Sequence, residues 1–318
     1  EELKLALDWG IGRIVVDNSY ELELLNKLAK EKETNQDILL RITPGVDPHT
    51  HQYTTTGTLD SKFGFPLATG QAEKAIKQVM STSNLNLLGF HFHLGSPVSQ
   101  VQPYELAIEL VLRFAQEMSE KFSFNIGEFS IGGGFAVQYT LGSEVPTVAD
   151  YAKAITGKLN SLISQIRLTY PRLIIEPGRA IVGQAGIALY TVGAIKEIPS
   201  IKKYVCIDGG MSDNIRPALY GAKHEALIAN KALEAEEDLV TIAGKLCESG
   251  DILVRDTTLA SVSPCDIIAI PVCGAYSIPM WSNYNALPKP AIAMVEKGKA
   301  RLIRRRESYQ DLMRLDSL

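Results

Sequence analysis

The stretch Leu87–Ser96 reads LLGFHFHLGS, an apolar run that ends in glycine and polar residues. It predicts a strand over 87–94, because strands buried on both faces read as nearly continuous hydrophobic runs. Four further runs share this form, and each ends at or is directly followed by a charged, amide or glycine residue: 14–17, 38–44, 128–132 and 173–177. We interpret the five runs as strands of one parallel sheet.

Helical segments separate these strands and are predicted over 20–31, 72–80, 104–122 and 148–169. In the third of them, apolar residues recur at the spacing typical of an amphipathic helix: Leu106, Leu110, Phe114 and Met118. Alternation of strands and helices predicts an α/β fold, a (β/α)8 barrel of the TIM type. The chain opens at Glu1 without Met and within a helix-like segment, so we expect its natural start and the first barrel strands upstream.

The pattern changes after residue 182. Apolar residues then alternate in short runs, at 187–195, 204–207, 239–243, 251–254, 266–271 and 291–295. Such runs, separated by turns like Glu296-Lys297-Gly298, are typical of antiparallel sheets. We therefore predict two domains, a partial barrel over 1–182 and a mainly antiparallel β domain over 183–318.

The composition is that of a globular protein, with 46% hydrophobic and 21% charged residues and a net charge of −4. This charge argues against a nucleic-acid partner, and the arginines within 301–306 form either a small basic patch or a solvated edge. Without an apolar run of membrane-spanning length, we expect no membrane span. The four cysteines form no CxxC pair, which favours a reduced, cytoplasmic protein.

Polar groups at the strand ends are the candidates for chemistry, because barrel active sites lie at the carboxyl ends of the strands. Gly132-Gly133-Gly134 follows one strand, and backbone N–H groups without side chains can approach a phosphate closely. A plain tight turn explains the triple glycine equally well.

Two histidines, His91 and His93, stand two residues apart on a strand and so face the same side. They could bind a metal, pack in the core, or, for His93, stack on a cofactor ring. A catalytic zinc site needs about three protein ligands. Only five histidines occur, and the other three do not follow barrel strands, so we expect stacking by His93 and no metal.

The last strand end, Glu176-Pro177-Gly178-Arg179, combines an acid and a base. A carboxylate there can hold a pyridine nitrogen in its protonated form. The arginine can bind a carboxylate or a phosphate, or the two side chains can simply pair with each other. In the second half, Cys247 stands near Glu248 and Asp251, and its thiol is a candidate proton donor.

Together these motifs resemble the fold-type III decarboxylases that depend on pyridoxal 5′-phosphate (PLP), and among them the diaminopimelate decarboxylases. The resemblance runs from Glu1 to about Met313 and rests on motifs in order: 41–51, 57–64, 91–96, 176–179, 208–211, 216–220 and 247–251. It implies an alanine-racemase-like barrel followed by a β domain.

The resemblance also implies roles for individual residues. The residues expected at the cofactor are His93 on the ring, Glu176 at the pyridine nitrogen, and Ser96, Gly133, Gly134, Gly178, Arg179 and Tyr276 around them. Those expected at the substrate are Arg179, Arg216, Tyr220, Glu248 and Tyr276. Cys247 would return a proton to the α-carbon, so His93, Glu176 and Cys247 form the expected catalytic set.

The implied reaction is decarboxylation of meso-2,6-diaminopimelate to L-lysine and CO2. A decarboxylase of the ornithine, arginine or carboxynorspermidine type and a catalytically inactive regulatory relative are the alternatives. A homodimer with shared active sites is implied, with Cys247 and Glu248 supplied by the partner subunit. The Schiff-base lysine of the family lies in an early-strand motif that this sequence does not contain, and Lys62 does not occupy that position. Ser96-Pro97 departs from the family's usual Ser-Gln.

Overall fold

The computed structural model describes residues 1–48, 50–51 and 54–317. His49, within the motif over 41–51, therefore lies outside the described residues. The chain divides into two compact units. The first comprises Glu1–Val137 and Glu144–Gly178, and the second comprises Gln138–Ser143 and the chain from Arg179 onward. This division falls close to residue 182, and the domain limits of 1–182 and 183–318 stay a prediction.

The first unit contains a parallel sheet in the order β1-β2-β4-β5-β6, with β3 paired to β2. Its strands are β1 (Ile14–Val16), β2 (Gln36–Thr43), β3 (Phe65–Pro66), β4 (Leu85–His91), β5 (Glu128–Ser130) and β6 (Arg172–Ile174). Its helices are α1 (Glu2–Asp8), α2 (Ser19–Glu31), α3 (Gln71–Met80), α4 (Gln102–Phe122) and α5 (Val148–Ile163). The predicted alternation of helices and parallel strands is confirmed.

Local sequence explains where two of these helices begin. The side chain of Asn18 accepts a hydrogen bond from the Glu21 N–H at 2.9 Å and so caps α2. Thr147 and Asp150 form a reciprocal capping box at the start of α5. The prediction that α5 continues to 169 was wrong, because the helix ends at Ile163 and the apolar residues beyond it are buried in the following turns.

Helix α4 is amphipathic as predicted, but its buried face is not the one through Leu106 and Leu110. Leu106 is 50% exposed, whereas Tyr104 is fully buried. The stripe that packs inward consists of Tyr104, Ala107, Ile108, Val111, Leu112, Ala115 and Met118. Two apolar stripes run along this helix, and the position of the sheet decides which one is covered.

The second unit contains a six-stranded sheet in the order β11-β10-β8-β7-β12-β9. Its strands are β7 (Ala188–Ile198), β8 (Lys202–Ile207), β9 (Leu227–Ile228), β10 (Asp238–Ala243), β11 (Ile252–Leu259) and β12 (Ile267–Ile270). All its pairings are antiparallel except β8 with β10, so the prediction of a mainly antiparallel sheet is confirmed.

A separate hairpin of β13 (Ile292–Glu296) and β14 (Lys299–Arg304) turns at the predicted Glu296-Lys297-Gly298. The short helices of this unit are α6 (Gly178–Val182), which begins at the last residue of the first unit, α7 (Arg216–Tyr220) and α8 (Tyr309–Met313). Across the described ranges, no helix combines the length and apolar composition that crossing a membrane requires.

Candidate active site

A cavity of about 380 Å³ opens in the first unit where its parallel strands end. Its walls come from strands β1, β2 and β4 and from the segments that follow β1, β4 and β6: Val15, Asp17, Arg41, His91, His93 and Glu176. The structure thus brings together the polar strand ends at 17, 91–93 and 176 that the sequence singled out. Carboxyl ends of neighbouring parallel strands meet at one edge of a sheet, which explains this convergence.

Two acids line this cavity, Asp17 and Glu176, and Glu176 is held by two neighbours. Its Oε1 lies 3.1 Å from His91 Nε2 and accepts a hydrogen bond from Ser130 Oγ, also at 3.1 Å. The bond to His91 is the main reason why the pKa of Glu176 lies below its usual value, although burial opposes this shift. Glu176 is therefore a carboxylate near neutral pH and can accept a proton-bearing ring nitrogen.

His93 faces the same cavity as an uncharged ring. Burial, helped by the nearby Arg41, lowers the pKa of His93 to about 4. Its Nδ1 lies 3.1 Å from the Gly133 nitrogen, whose N–H donates to it, so the ring proton sits on Nε2. A neutral, oriented imidazole suits the stacking role. Among the described residues, no group of three histidine, cysteine or acidic side chains is placed to hold a metal.

Packing within the protein is by itself enough to require glycine at positions 133 and 134. A Cβ at Gly133 would lie 2.1 Å from the Glu176 carbonyl oxygen, and one at Gly134 would lie 2.1 Å from the Gly95 carbonyl oxygen. These contacts place the loop between the strand end that carries Glu176 and the turn that carries Ser96. The Gly133 N–H positions His93, a role that the sequence did not indicate, and the phosphate contacts of Ser96, Gly133 and Gly134 stay a prediction.

Arg41 and Asp17 form an ion pair in the cavity wall, with Arg41 Nη1 3.4 Å from Asp17 Oδ1. Arg41 also stacks on the ring of Phe63, with its guanidinium carbon 4.3 Å from the ring centroid. Arg41 opens the sequence motif over 41–51, but that motif alone indicates no role for it. Its place directly on a barrel strand was the signal that could have identified it.

The residues that line this cavity fit a phosphorylated pyridine. The cavity offers an ionised acceptor at Glu176, a flat neutral ring at His93, and two adjoining backbone turns at Gly95 and Gly134. His91 Nδ1 is also buried without a hydrogen-bond partner in the described structure. This set of donors and acceptors matches what a PLP ring and phosphate need.

In the second unit, two buried arginines flank one tyrosine. The Arg179 guanidinium donates to the Tyr139 hydroxyl and lies 4.6 Å from the ring centroid of Tyr276. The Arg216 guanidinium carbon lies 5.2 Å from the ring centroid of Tyr139 and 5.9 Å from that of Tyr220. Arg179 is only 4% exposed and Arg216 only 6%. The structure therefore gathers four predicted substrate residues: two arginines that contact Tyr139 and two tyrosines that each contact one of these arginines.

Arg216 has a donor without an acceptor. Its Nε is buried and has no hydrogen-bond partner among the described residues. Burial is the main cause that lowers the pKa of Arg216, and Arg179 adds to it. An arginine keeps its charge even so. A buried, incompletely paired guanidinium is costly, and an anionic ligand would satisfy it.

Tyr139 and His224 are neighbours of the arginines that sequence reasoning missed. The His224 ring meets the Tyr139 ring edge-on, with centroids 5.2 Å apart, and its pKa is lowered to about 4 by burial and then by Arg216. His224 is thus uncharged beside two cations. Neither residue stands in a recognisable motif, although the position of Tyr139 in the loop after the triple glycine was a usable signal.

Cys247 and Glu248 lie together with Tyr284 and Asn285. Cys247 is exposed, and its Sγ lies 3.8 Å from the Tyr284 hydroxyl, which in turn donates to Glu248. Asp251, which the sequence placed near the thiol, faces elsewhere.

Asp251 is 2% exposed and accepts from the Met211 and Leu246 N–H groups at 2.6 and 2.9 Å. Burial raises the pKa of Asp251. A Cβ at Gly210 would lie 2.6 Å from the Asp251 carboxylate, so Gly210 packs directly against it. The expectation of two acids beside the thiol was wrong, because Asp251 satisfies the backbone of the Asp208–Met211 turn and of its own loop.

Comparisons with known proteins agree with this geometry. A family model for the pyridoxal-binding domain of pyridoxal-dependent decarboxylases matches residues 1–183. The diaminopimelate decarboxylase of Bacillus subtilis is 47% identical over 316 residues, covering 99% of this chain and 72% of that protein. That of Staphylococcus aureus is 44% identical over 98% of this chain and 72% of its own length.

Solved structures of diaminopimelate decarboxylases are also similar to this chain. The crystal structure of diaminopimelate decarboxylase from M. jannaschii in complex with L-lysine has a TM-score of 0.92 and 37% identity, over 100% of this chain and 72% of that chain. The Helicobacter pylori enzyme complexed with L-lysine has a TM-score of 0.89 and 32% identity, over 99% of this chain and 75% of that chain.

Proposed function

The chain belongs to the pyridoxal-dependent decarboxylases, and from this membership we propose that it converts meso-2,6-diaminopimelate to L-lysine and CO2. The observation that supports this substrate most directly is the buried Arg216, whose Nε lacks an acceptor beside Arg179 and Tyr139. A substrate with a second amino-acid head supplies the missing carboxylate. Ornithine has no distal carboxylate and would leave that guanidinium unsatisfied.

The cofactor is pyridoxal 5′-phosphate, which when bound absorbs the electron pair left on the α-carbon as CO2 departs. Glu176, kept ionised by His91 and Ser130, holds the pyridine nitrogen. His93, a neutral imidazole, would stack on the cofactor ring. The other residues proposed at the cofactor are Ser96 and Gly134 in the adjoining turns, Gly178 and Arg179 in α6, and Tyr276. Gly133, also proposed there, would act through His93, to which its N–H donates.

Arg179 and Arg216 bind the distal carboxylate of the substrate, while Glu248 binds the distal ammonium. Tyr220 and Tyr276 line the same place, where each ring already packs against an arginine. The thiol of Cys247 donates its proton to the α-carbon once CO2 has left. These assignments follow the family motifs residue by residue.

We further propose that the enzyme is a cytoplasmic homodimer, in which a second copy of the chain supplies Cys247 and Glu248 to each site. Both residues are exposed in the single chain, as groups that complete a neighbouring site should be. The cysteines are all free, which suits a reducing compartment. Mixing Cys247→Ser with Glu176→Gln protein tests the shared site, because only a mixed dimer has one intact site. Failure to regain activity after mixing would contradict sharing.

The test of the reaction is an assay with the holoenzyme and PLP, in which CO2 and lysine are measured from meso-diaminopimelate and, in parallel, CO2 from ornithine. We expect release from diaminopimelate to be far faster. Faster release from ornithine would overturn the substrate assignment in favour of an ornithine-type decarboxylase. No release from either substrate, with PLP bound, would favour an inactive relative.

A further inference from the structure

The thiol of Cys247 sits in a hydrogen-bonded cluster that the proposed reaction does not yet explain. Its Sγ lies 3.8 Å from the Tyr284 hydroxyl and 3.3 Å from Asn285 Nδ2. The Tyr284 hydroxyl also reaches the carboxylate of Glu248. Tyr284 and Asn285 thus both contact Cys247, the proposed proton donor. Tyr284 also contacts Glu248.

The direction of these hydrogen bonds is set by the number of protons. A phenol has one proton, and Tyr284 donates it to Glu248, because an ionised carboxylate can only accept. Toward Cys247 the hydroxyl is therefore an acceptor, and the thiol must be the donor. This hydrogen bond to Glu248 is the main cause that raises the pKa of Tyr284, so the phenol keeps its proton.

Asn285 acts from another side of the sulfur. Its Nδ2 lies 3.3 Å from Sγ and donates an N–H to the sulfur, while its Oδ1, at 3.5 Å, can accept the thiol proton. Such a bond strengthens when the sulfur becomes negative. Asn285 has a φ of 54°, a left-handed conformation that asparagine and aspartate adopt more readily than most residues.

We propose that Tyr284 and Asn285 are positioning residues for the Cys247 thiol, Tyr284 holding its S–H before proton transfer and Asn285 stabilising the thiolate that remains. The proton passes from Cys247 Sγ to the α-carbon, and the thiolate regains one from solvent. This role rests on the proposed function in one respect, which is that the α-carbon of the substrate accepts the proton.

Substitutions of Tyr284 and Asn285 should have opposite effects on the reactivity of the Cys247 thiol. Tyr284→Phe removes an acceptor that stabilises the protonated thiol, so alkylation of Cys247 by iodoacetamide at fixed pH should rise about threefold or more. Asn285→Asp replaces a donor with a negative charge at a backbone conformation that aspartate tolerates, so alkylation should fall by about threefold or more. The rates are read cysteine by cysteine by mass spectrometry.

Cys265 is the matched control within the same chain, because it is also exposed. Its alkylation rate should be equal in all three proteins. Equal rates at Cys247 in the three proteins, or a rise in both variants as from simple loosening, would overturn the proposal. If the rates split as expected but wild-type holoenzyme releases no CO2, the proposed function fails while the hydrogen bonding stands.

Discussion

His91 Nε2 lies 3.1 Å from Glu176 Oε1, so a buried imidazole holds the acid proposed for the cofactor nitrogen. The two residues stand 85 positions apart (176 minus 91) and meet only because β4 and the segment after β6 end at the same edge. Since a carboxylate only accepts, His91 Nε2 carries a proton. This pair therefore controls both the charge and the direction of Glu176.

His91→Phe should weaken PLP binding about tenfold, because it removes a hydrogen bond to a charged group and lets the Glu176 carboxylate turn. The dissociation constant can be followed by cofactor fluorescence, without turnover. His91→Gln is the matched variant, since its amide can still donate near the same place, and it should regain most of the affinity. Equal losses in the two variants would show that His91 acts by packing alone.

Acid should destabilise the folded protein between about pH 6.5 and pH 4 through His93 and His224. Both have a folded pKa of about 4, so in this interval the unfolded chain binds more protons than the folded one. The free energy of unfolding then falls as pH falls, by up to about 1.4 kcal/mol per pH unit for each histidine. Urea unfolding at several pH values measures this slope.

His224→Gln should flatten that slope, because glutamine does not titrate. His93→Gln should do the same, and the double variant should flatten it most. A slope that is unchanged in the double variant would mean that other groups cause the acid sensitivity.

Tyr139→Phe should raise the KM for diaminopimelate about fivefold or more while changing kcat less, because it removes the hydroxyl that orients Arg179 but keeps the ring beside Arg216. Tyr139→Ala should raise KM further, since it also removes both ring contacts to the arginines. Tyr309→Phe is the control, because Tyr309 is 66% exposed in the same unit. A fall in kcat at constant KM would contradict a substrate-positioning role.

Gly134→Ala should lower the free energy of unfolding by about 2–4 kcal/mol, because its Cβ would meet the Gly95 carbonyl oxygen at 2.1 Å and its φ is +98°. The melting temperature and the affinity for PLP should both fall. Gly157→Ala is the control, since a Cβ at Gly157 meets nothing within 4 Å inside α5. That variant should be as stable as wild type or more so, because alanine favours helix. Wild-type stability of Gly134→Ala would mean that the loop can move away from Gly95.

Sequence reasoning located the strands of the first unit and the residues at their ends. The run at 87–94 identified β4 within a few residues, and the ends at 91–93 and 176 do line one cavity. It also indicated the mainly antiparallel second sheet and the turn at 296–298. These features repeat over a few residues, so local composition and spacing are enough to reveal them.

Other features depended on which distant groups meet. No local sequence signal indicates three of them. These are which face of α4 is buried, the hydrogen bonding of Asp251 to backbone N–H groups, and the contacts of Tyr139 with two arginines.

What the sequence by itself determined is the order of the elements, the polar strand ends and the family, since hydrophobic period and motif spacing are properties of neighbouring residues. Only the tertiary structure decided which hydrogen bonds set the charge of Glu176 and which acid remains beside the thiol of Cys247. A hydrogen bond forms only with a donor that lies within about 3 Å of its acceptor. Which donor lies that close depends on the packing of the whole folded chain.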